Sequence, residues 1–193
     1  MDYLVCGLGN PGTEYVWTYH NLGFMVIDRL AGRNNILVSR RECKAFVGVA
    51  KWGGREVMLA KPQTFMNLSG ESVGRLVEKY ELAPSQVVVV YDELDLSWGS
   101  LRIRKKGSDA GHNGMEDVIR RLGTQEIVRV RLGIHPGHPV RDGAEFVLTA
   151  MSSGQRKELE EILDHAAGAV ESIVAEGADK AMTKYNRRAL GQE

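Results

Sequence analysis

The sequence predicts an α/β fold: one domain over residues 1–193, with a mixed, mostly parallel sheet flanked by helices on both faces. Three observations predict it. Short β-branched runs alternate with stretches of helical periodicity, the pattern of strands joined by crossover helices. Val87-Val-Val-Val-Tyr91 is a continuous apolar run, as in a central strand covered on both faces. Two strand-like runs meet across Gly53-Gly54, a hairpin signal, so the sheet is not purely parallel.

Taken in order, Tyr3 to Cys6 reads as a buried strand ended by glycines. Asn21 is placed to cap a helix whose apolar residues Phe24, Ile27 and Leu30 recur at helical spacing as far as Gly32. Ile36 to Ser39, Ala45 to Lys51 and Glu56 to Ala60 read as strands. Ser69 to Leu82 is an amphipathic helix stopped by Pro84. Leu101 to Arg104 and Val128 to Ile134 are strands on either side of a helix from Gly114 to Leu122. Ser152 to Ala175 and Ala178 to Arg188 complete the chain as helices.

Composition bounds the function. A chain of 193 residues buries roughly 70% of its unfolded surface and needs no staples. Hydrophobic residues at 43% and charged residues at 26% are globular values, which excludes disorder, collagen and coiled coil. Lys+Arg and Asp+Glu stand at 25 each, so no global field draws the protein to nucleic acid or to a membrane. Cys6 and Cys43 make no disulfide framework and lack metal-ligand spacing, which points to a reducing compartment. No basic leader is visible, and no apolar run approaches the ~20 residues that span a bilayer. A cytoplasmic protein is expected.

The charge is nevertheless uneven. Residues 101–141 hold nine basic against four acidic residues, and residues 152–179 hold two against seven. Strand residues at i and i+2 share a face, so Arg102 with Arg104, and Arg129 with Arg131, form two short basic rows suited to a phosphate backbone. A solvated surface is the plain alternative.

Two motifs are decoys. Gly7-Leu-Gly9-Asn-Pro-Gly12 fits the dinucleotide pattern, with Arg40 and Arg41 after a later strand as mimics of a 2′-phosphate contact. The helix should open within the glycines, yet Thr13 to His20 intervene, so a tight turn explains the pattern better. Gly70-Glu-Ser72-Val-Gly74 fits a nucleophile elbow but lies inside a helical pattern, where the glycines serve close packing. His135-Pro-Gly-His138 has no carboxylate or Cys beside it, and no metal is expected.

The third constellation is dispersed: Asn10, His20-Asn21, Asn67, Asp92 and His112-Asn113 all fall at element ends or in loops. Asp92 lies at the carboxyl end of the apolar strand, the edge where open α/β sheets build their sites. A histidine beside an aspartate is the minimum for general-base catalysis, the imidazole taking a proton from water while the carboxylate fixes its tautomer. Asparagine amides offer neutral donors and acceptors for a carbonyl or an oxyanion. Helix capping and a satisfied surface histidine are the structural alternative.

The segments GLGNPGTEY with YHNLGF, KPQTFMNLSG, VVVVYDELDLSWGSLRIR, and GSDAGHNGMEDVI with VRLGI, in this order from residue 7 to 134, resemble bacterial peptidyl-tRNA hydrolase. The resemblance implies a monomeric α/β enzyme that needs no cofactor and cleaves the ester between a peptide and the terminal ribose of tRNA, recycling tRNA from stalled translation. It implies His20 as the base, Asp92 as its partner and Asn10 as the sensor of the acylated amino group. Asn67, His112 and Asn113 would hold the substrate, with Tyr15, Phe65 and Met66 lining the cleft. Arg102, Arg104, Lys105 and Arg131 would meet the tRNA acceptor stem. The chain departs from the family pattern at Tyr19 and at Ser108-Asp109-Ala110. The alternatives are a non-catalytic RNA-binding relative of the same fold and, more weakly, an NADP-dependent oxidoreductase.

Overall fold

The computed structural model describes residues 1–186. Seven strands form one sheet: β1 (Tyr3–Gly7), β2 (Arg40–Glu42), β3 (Ala45–Trp52), β4 (Arg55–Pro62), β5 (Val87–Ser97), β6 (Leu101–Arg104) and β7 (Val128–His135), in the order β2-β3-β4-β1-β5-β7-β6. The central pairings β4-β1, β1-β5 and β5-β7 are parallel, and β2-β3, β3-β4 and β7-β6 are antiparallel. The sheet is therefore mixed, with its parallel part at the centre.

Helices α1 (Leu22–Arg33), α2 (Ser69–Lys79), α3 (Asn113–Leu122), α4 (Gly143–Phe146), α5 (Ser153–Glu176) and α6 (Ala178–Tyr185) complete the fold. The two-residue period of β5 sorts its side chains. Val88 and Val90 enter a core shared with Val26 and Ile27 of α1 and Ile162 and Val170 of α5. Val87, Val89 and Tyr91 enter the opposite core with Val73 and Leu76 of α2 and Met115 and Val118 of α3. A strand covered on both faces has to be apolar at every position, which is what the continuous run reports. Burial pushes the Cys6 thiol up to about 12, as befits an inert core residue.

Several boundaries differ from expectation. The apolar residues Ile36 and Val38 pack against the core without joining a ladder. The strand begins instead at Arg40 and turns into β3 through Cys43 and Lys44, both left-handed at φ 50° and 60°. The hairpin at Gly53-Gly54 is present, with both glycines at positive φ as a two-residue turn demands. β5 continues past Tyr91 to Ser97 because it keeps pairing with β7 beyond the apolar run. The short helix α4 left no periodic signal. The last helix is described as far as Tyr185, and Arg187 and Arg188, where it was expected to end, lie outside the described residues.

Both decoy motifs resolve into packing. Gly12 has φ 117° and opens a single 3-10 turn, Thr13–Tyr15, while the helix waits until Leu22. Ser72 is fully buried inside α2, and a Cβ on Gly70 would come within 2.2 Å of the Asp117 carbonyl oxygen on α3. The Ser72 hydroxyl is buried without a partner among the described residues. Ser72→Ala should accordingly leave stability within about 1 kcal/mol or raise it, because an unsatisfied hydroxyl is removed. Gly70→Ala should cost about 1–3 kcal/mol by forcing α2 and α3 apart. Urea unfolding of the two variants checks both values, and a destabilised Ser72→Ala would show that its hydroxyl is bonded after all.

Candidate active site

The carboxyl ends of β1, β4 and β5 lie at one edge of the sheet, and the chain places four polar elements there. Asp92 sits within β5, opposite Leu132 of β7 and just past the end of the β1 ladder, and is fully buried at 1% exposed. His20 arrives on the 3-10 turn Tyr19–Asn21 that leads into α1, and its Nδ1 lies 3.0 and 2.9 Å from the two Asp92 oxygens. His112 arrives from the opposite side as the residue that opens α3, with its Nε2 2.9 Å from Asp92 Oδ1. The two imidazoles face each other with centroids 4.8 Å apart.

The hydrogen bonds assign both tautomers. The Met115 backbone N–H donates to His112 Nδ1 at 3.1 Å, so the His112 proton is on Nε2 and points at Asp92. His20 likewise donates from Nδ1, which leaves a lone pair on its Nε2, an atom with no partner among the described residues. Burial works to raise the Asp92 carboxyl, but His20 and then His112 outweigh it and hold it well below the ordinary carboxylate range. His112 is therefore committed at both nitrogens. It supports Asp92 and has no nitrogen left open.

His20, Asp92 and His112 are also, among the described residues, the one group whose ligand atoms lie close enough, within 4.8 Å, to hold a cation. Each nitrogen that faces Asp92 carries a proton, however, and a metal would have to displace both. The hydrogen bonds alone satisfy the cluster. His135 and His138 are no such group: His135 Nδ1 accepts from the Gly137 N–H at 3.1 Å, which closes a turn.

A second network fixes Asn10, which follows β1 and is 6% exposed. Asn21 had been expected to cap α1, but its side chain makes no cap bond. It accepts from the Asn10 N–H at 2.8 Å and donates to the Asn10 carbonyl at 3.0 Å, clamping that backbone from both sides. Asn10 Oδ1 in turn accepts from the Met66 N–H at 2.8 Å. Its amide NH₂ has no partner among the described residues and is what Asn10 has left to offer. Sequence reasoning missed this role of Asn21; its only trace was adjacency to His20.

A cleft of about 320 Å³ opens beside His20 and Asp92, walled by Leu94, by Ala110 to Asn113 and by Gly143, Ala144 and Val147. Asn67 and Asn113 line an adjoining polar pocket with Arg120. Met66 is buried, Phe65 stands 58% exposed and Tyr15 is half-buried, and none of the three lines the His20 cleft. The departures from the family pattern have local roles. Tyr19 stacks on Phe146 at 4.7 Å and donates to Gln155 at 2.6 Å, and Asp109 accepts from the Gly111 N–H at 2.8 Å, shaping the loop before His112.

The basic rows divide. Arg102 pairs with Arg131 and Arg104 with Arg129 across β6-β7, so all four side chains share one face. Arg129 is 1% exposed and spends its guanidinium on the carbonyls of Gly107, Ser108, Gln125 and Ile127, anchoring the loop that leads to His112. Arg131 donates to the buried Glu93 at 2.9 Å. Arg102 and Arg104 are half-buried, and Lys105 meets Asp179 at 2.8 Å with both side chains exposed.

The comparisons decide the family. The family model for peptidyl-tRNA hydrolase matches residues 4–193. The chain belongs to the peptidyl-tRNA hydrolase family. A peptidyl-tRNA hydrolase of Solibacter usitatus is 60% identical over 189 residues, covering 98% of this chain and 96% of the relative. That of Koribacter versatilis is 46% identical over 186 residues, covering 96% and 92%. The crystal structure of peptidyl-tRNA hydrolase from Acinetobacter baumannii matches with a TM-score of 0.89 at 33% identity, covering 97% of this chain and 95% of that one. Proteins of this family cleave the ester bond of peptidyl-tRNA. Neither a non-catalytic relative nor an oxidoreductase finds support in these likenesses.

The depressed Asp92 carboxyl carries a pH signature. A carboxyl whose folded value lies below its unfolded one stabilises the fold fully above the unfolded value, about 4, and loses that contribution as pH falls further. Asp92→Asn should therefore be least stable relative to the parent at neutral pH, and the two should converge in acid. Denaturant unfolding from pH 7 to pH 3 checks this; a constant gap would show that the imidazoles do not hold the charge.

Proposed function

We propose that this chain, as one domain and as a monomer in the cytoplasm, hydrolyses the ester of peptidyl-tRNA with His20 as its general base. The observation that carries the reading is the bond from His20 Nδ1 to the buried Asp92, which leaves the Nε2 lone pair free in a ring that lines the cleft. A water held at Nε2 gives up a proton as its oxygen attacks the ester carbonyl carbon. The carbonyl π electrons move to oxygen, where the amides of Asn67 and Asn113 receive the charge. Collapse of the tetrahedral intermediate breaks the bond to the ribose oxygen, which takes the proton back from His20. The products are a peptide carboxylic acid, which ionises, and tRNA with its terminal hydroxyl restored.

Asp92 steadies the imidazolium that forms during the reaction, and His112 keeps Asp92 aimed. The donor amide of Asn10 meets the neutral acyl group of a peptide and is badly placed for the free ammonium of an aminoacyl-tRNA. Tyr15, Phe65 and Met66 flank the substrate. Arg102, Arg104 and Lys105 meet the phosphates of the acceptor stem, with Arg131 joining if it leaves Glu93.

His20→Ala should lower kcat by at least the ~10²–10⁴-fold typical of a positioned acid-base group, with tRNA affinity nearly unchanged. Asp92→Asn should cost less. The double variant should be little worse than His20→Ala, because the two act as a unit. Asp92, held well below the ordinary carboxylate range, stays charged across neutral pH and adds no ionisation of its own to the kcat profile. Multiplicative losses in the double variant would move the base elsewhere.

Asn10→Asp retains the acceptor for the Met66 N–H and replaces the outward NH₂ with a carboxylate oxygen. It should narrow the preference for N-acylated over free aminoacyl-tRNA. An unchanged ratio of the two hydrolysis rates would remove Asn10 from discrimination.

A further inference from the structure

The sheet order separates the two ends of the substrate. Asn10 follows the central strand β1 and Asp92 lies within its neighbour β5, while Arg102, Arg104 and Lys105 belong to β6 and its end, at one edge. From Asn10, a surface trough runs the other way, toward β4, β3 and β2. Its first part contains Asn10, Phe46 and Gln63. Phe46 and Gln63 also line a further hollow of about 430 Å³, walled by Phe65, Leu68 and Arg41. One trough thus leads from the residue that meets the acyl group to the far edge of the sheet.

Its lining is selective. Phe65 and Leu68 are 58% and 46% exposed, an apolar surface that water covers in the free protein. The Thr64 hydroxyl, also in this lining, is buried with no partner among the described residues. The charges at the rim differ in their commitments. Lys44 is bound to Glu71 at 2.7 Å, and Lys61 to Asp28 at 2.6 Å. Arg41 has no acidic partner among the described residues and lies 5.5 Å over the Phe46 ring. The trough therefore presents aromatic surface beneath one uncompensated cation.

We infer that the trough lined by Arg41, Phe46, Gln63 and Leu68 binds the peptide portion of the substrate beyond its ester-linked residue and prefers acidic or apolar side chains there over basic ones. The inference rests on the reading of the chain as a peptidyl-tRNA esterase. It follows from direction: with the nucleic acid held at the β6 edge and the acyl group at Asn10, the peptide is the part of the substrate that continues toward β2.

The test uses three substrates on one tRNA with the same ester-linked residue: N-acetyl-aminoacyl-tRNA, and tripeptidyl-tRNAs with Glu or with Lys at the adjoining position. The parent should favour Glu over Lys by about two- to fivefold in kcat/KM through KM, as one exposed ion pair allows, and the preference should shrink as salt rises. Arg41→Ala should abolish it and Arg41→Glu should invert it, with the acetylated substrate hydrolysed at the parent rate by both. Phe46→Ala should weaken both tripeptidyl substrates and spare the acetylated one. Equal rates for Glu and Lys in the parent would overturn the inference. So would Arg41 variants that slow all three substrates alike, which would place the tRNA 3′ end in the trough. Failure of the parent to hydrolyse even the acetylated substrate would overturn the esterase reading, and the trough assignment with it.

Discussion

The site depends on a single buried charge. Asp92 lies on β5 just past the end of its ladder with β1, out of reach of water, and a carboxylate there is tolerable only with partners. Two imidazoles provide them, His20 from the turn before α1 and His112 from the start of α3. These helices pack on opposite faces of the sheet, so the two cores meet at this carboxylate. The arrangement also distinguishes the two histidines. His112 is closed at its second nitrogen by the first turn of its own helix, and His20 is open. An asymmetry in backbone hydrogen bonding thus separates two otherwise equivalent side chains, His112 occupied at both nitrogens and His20 open at Nε2 among the described residues.

The Asn10 network follows the same rule. Asn21 stands next to His20 in sequence and holds both backbone polar groups of Asn10, so the turn that aims the imidazole also aims the amide. Met66 ties the segment after β4 to the same point. A small shift of the Tyr19–Asn21 turn would disturb the imidazole and the Asn10 amide together. That turn is anchored to the segment after α4, with His20 N–H donating to the Val147 carbonyl at 2.9 Å. Val147 also walls the cleft.

Much of this was legible in the sequence, and the remainder was hidden for identifiable reasons. The Val87 run declared a doubly covered strand, because burial imposes residue types directly, but β5 carries on past Asp92 to Ser97, so Asp92 is not at the strand's end as its place after the run suggests. Leu101–Arg104 was read to the residue. Ile36 to Ser39 misled because alternation reports burial, and a loop pressed on a core alternates as a strand does. Asn21 misled because an asparagine before a helix serves as a cap far more often than as a clamp, and the alternative depends on Asn10, eleven positions away. The α4 wall of the cleft is too short to carry a period.

Charge shows most clearly what pattern alone cannot give. The i, i+2 spacing put Arg129 and Arg131 on one face correctly, and the antiparallel register adds Arg102 and Arg104 to it. Four guanidiniums facing one way would repel unless some were neutralised or occupied. Arg129 turns inward to four carbonyls and Arg131 to Glu93, which leaves the β6 residues as the outward cations. The neutral total of the chain therefore understates the positive field at this face, while the count of basic residues in the segment overstates it. The inward arginine has a use of its own. By holding Gly107 and Ser108 it fixes the loop that delivers His112 to Asp92, so part of the positive charge of the basic region is spent on building the buried His20–Asp92–His112 cluster.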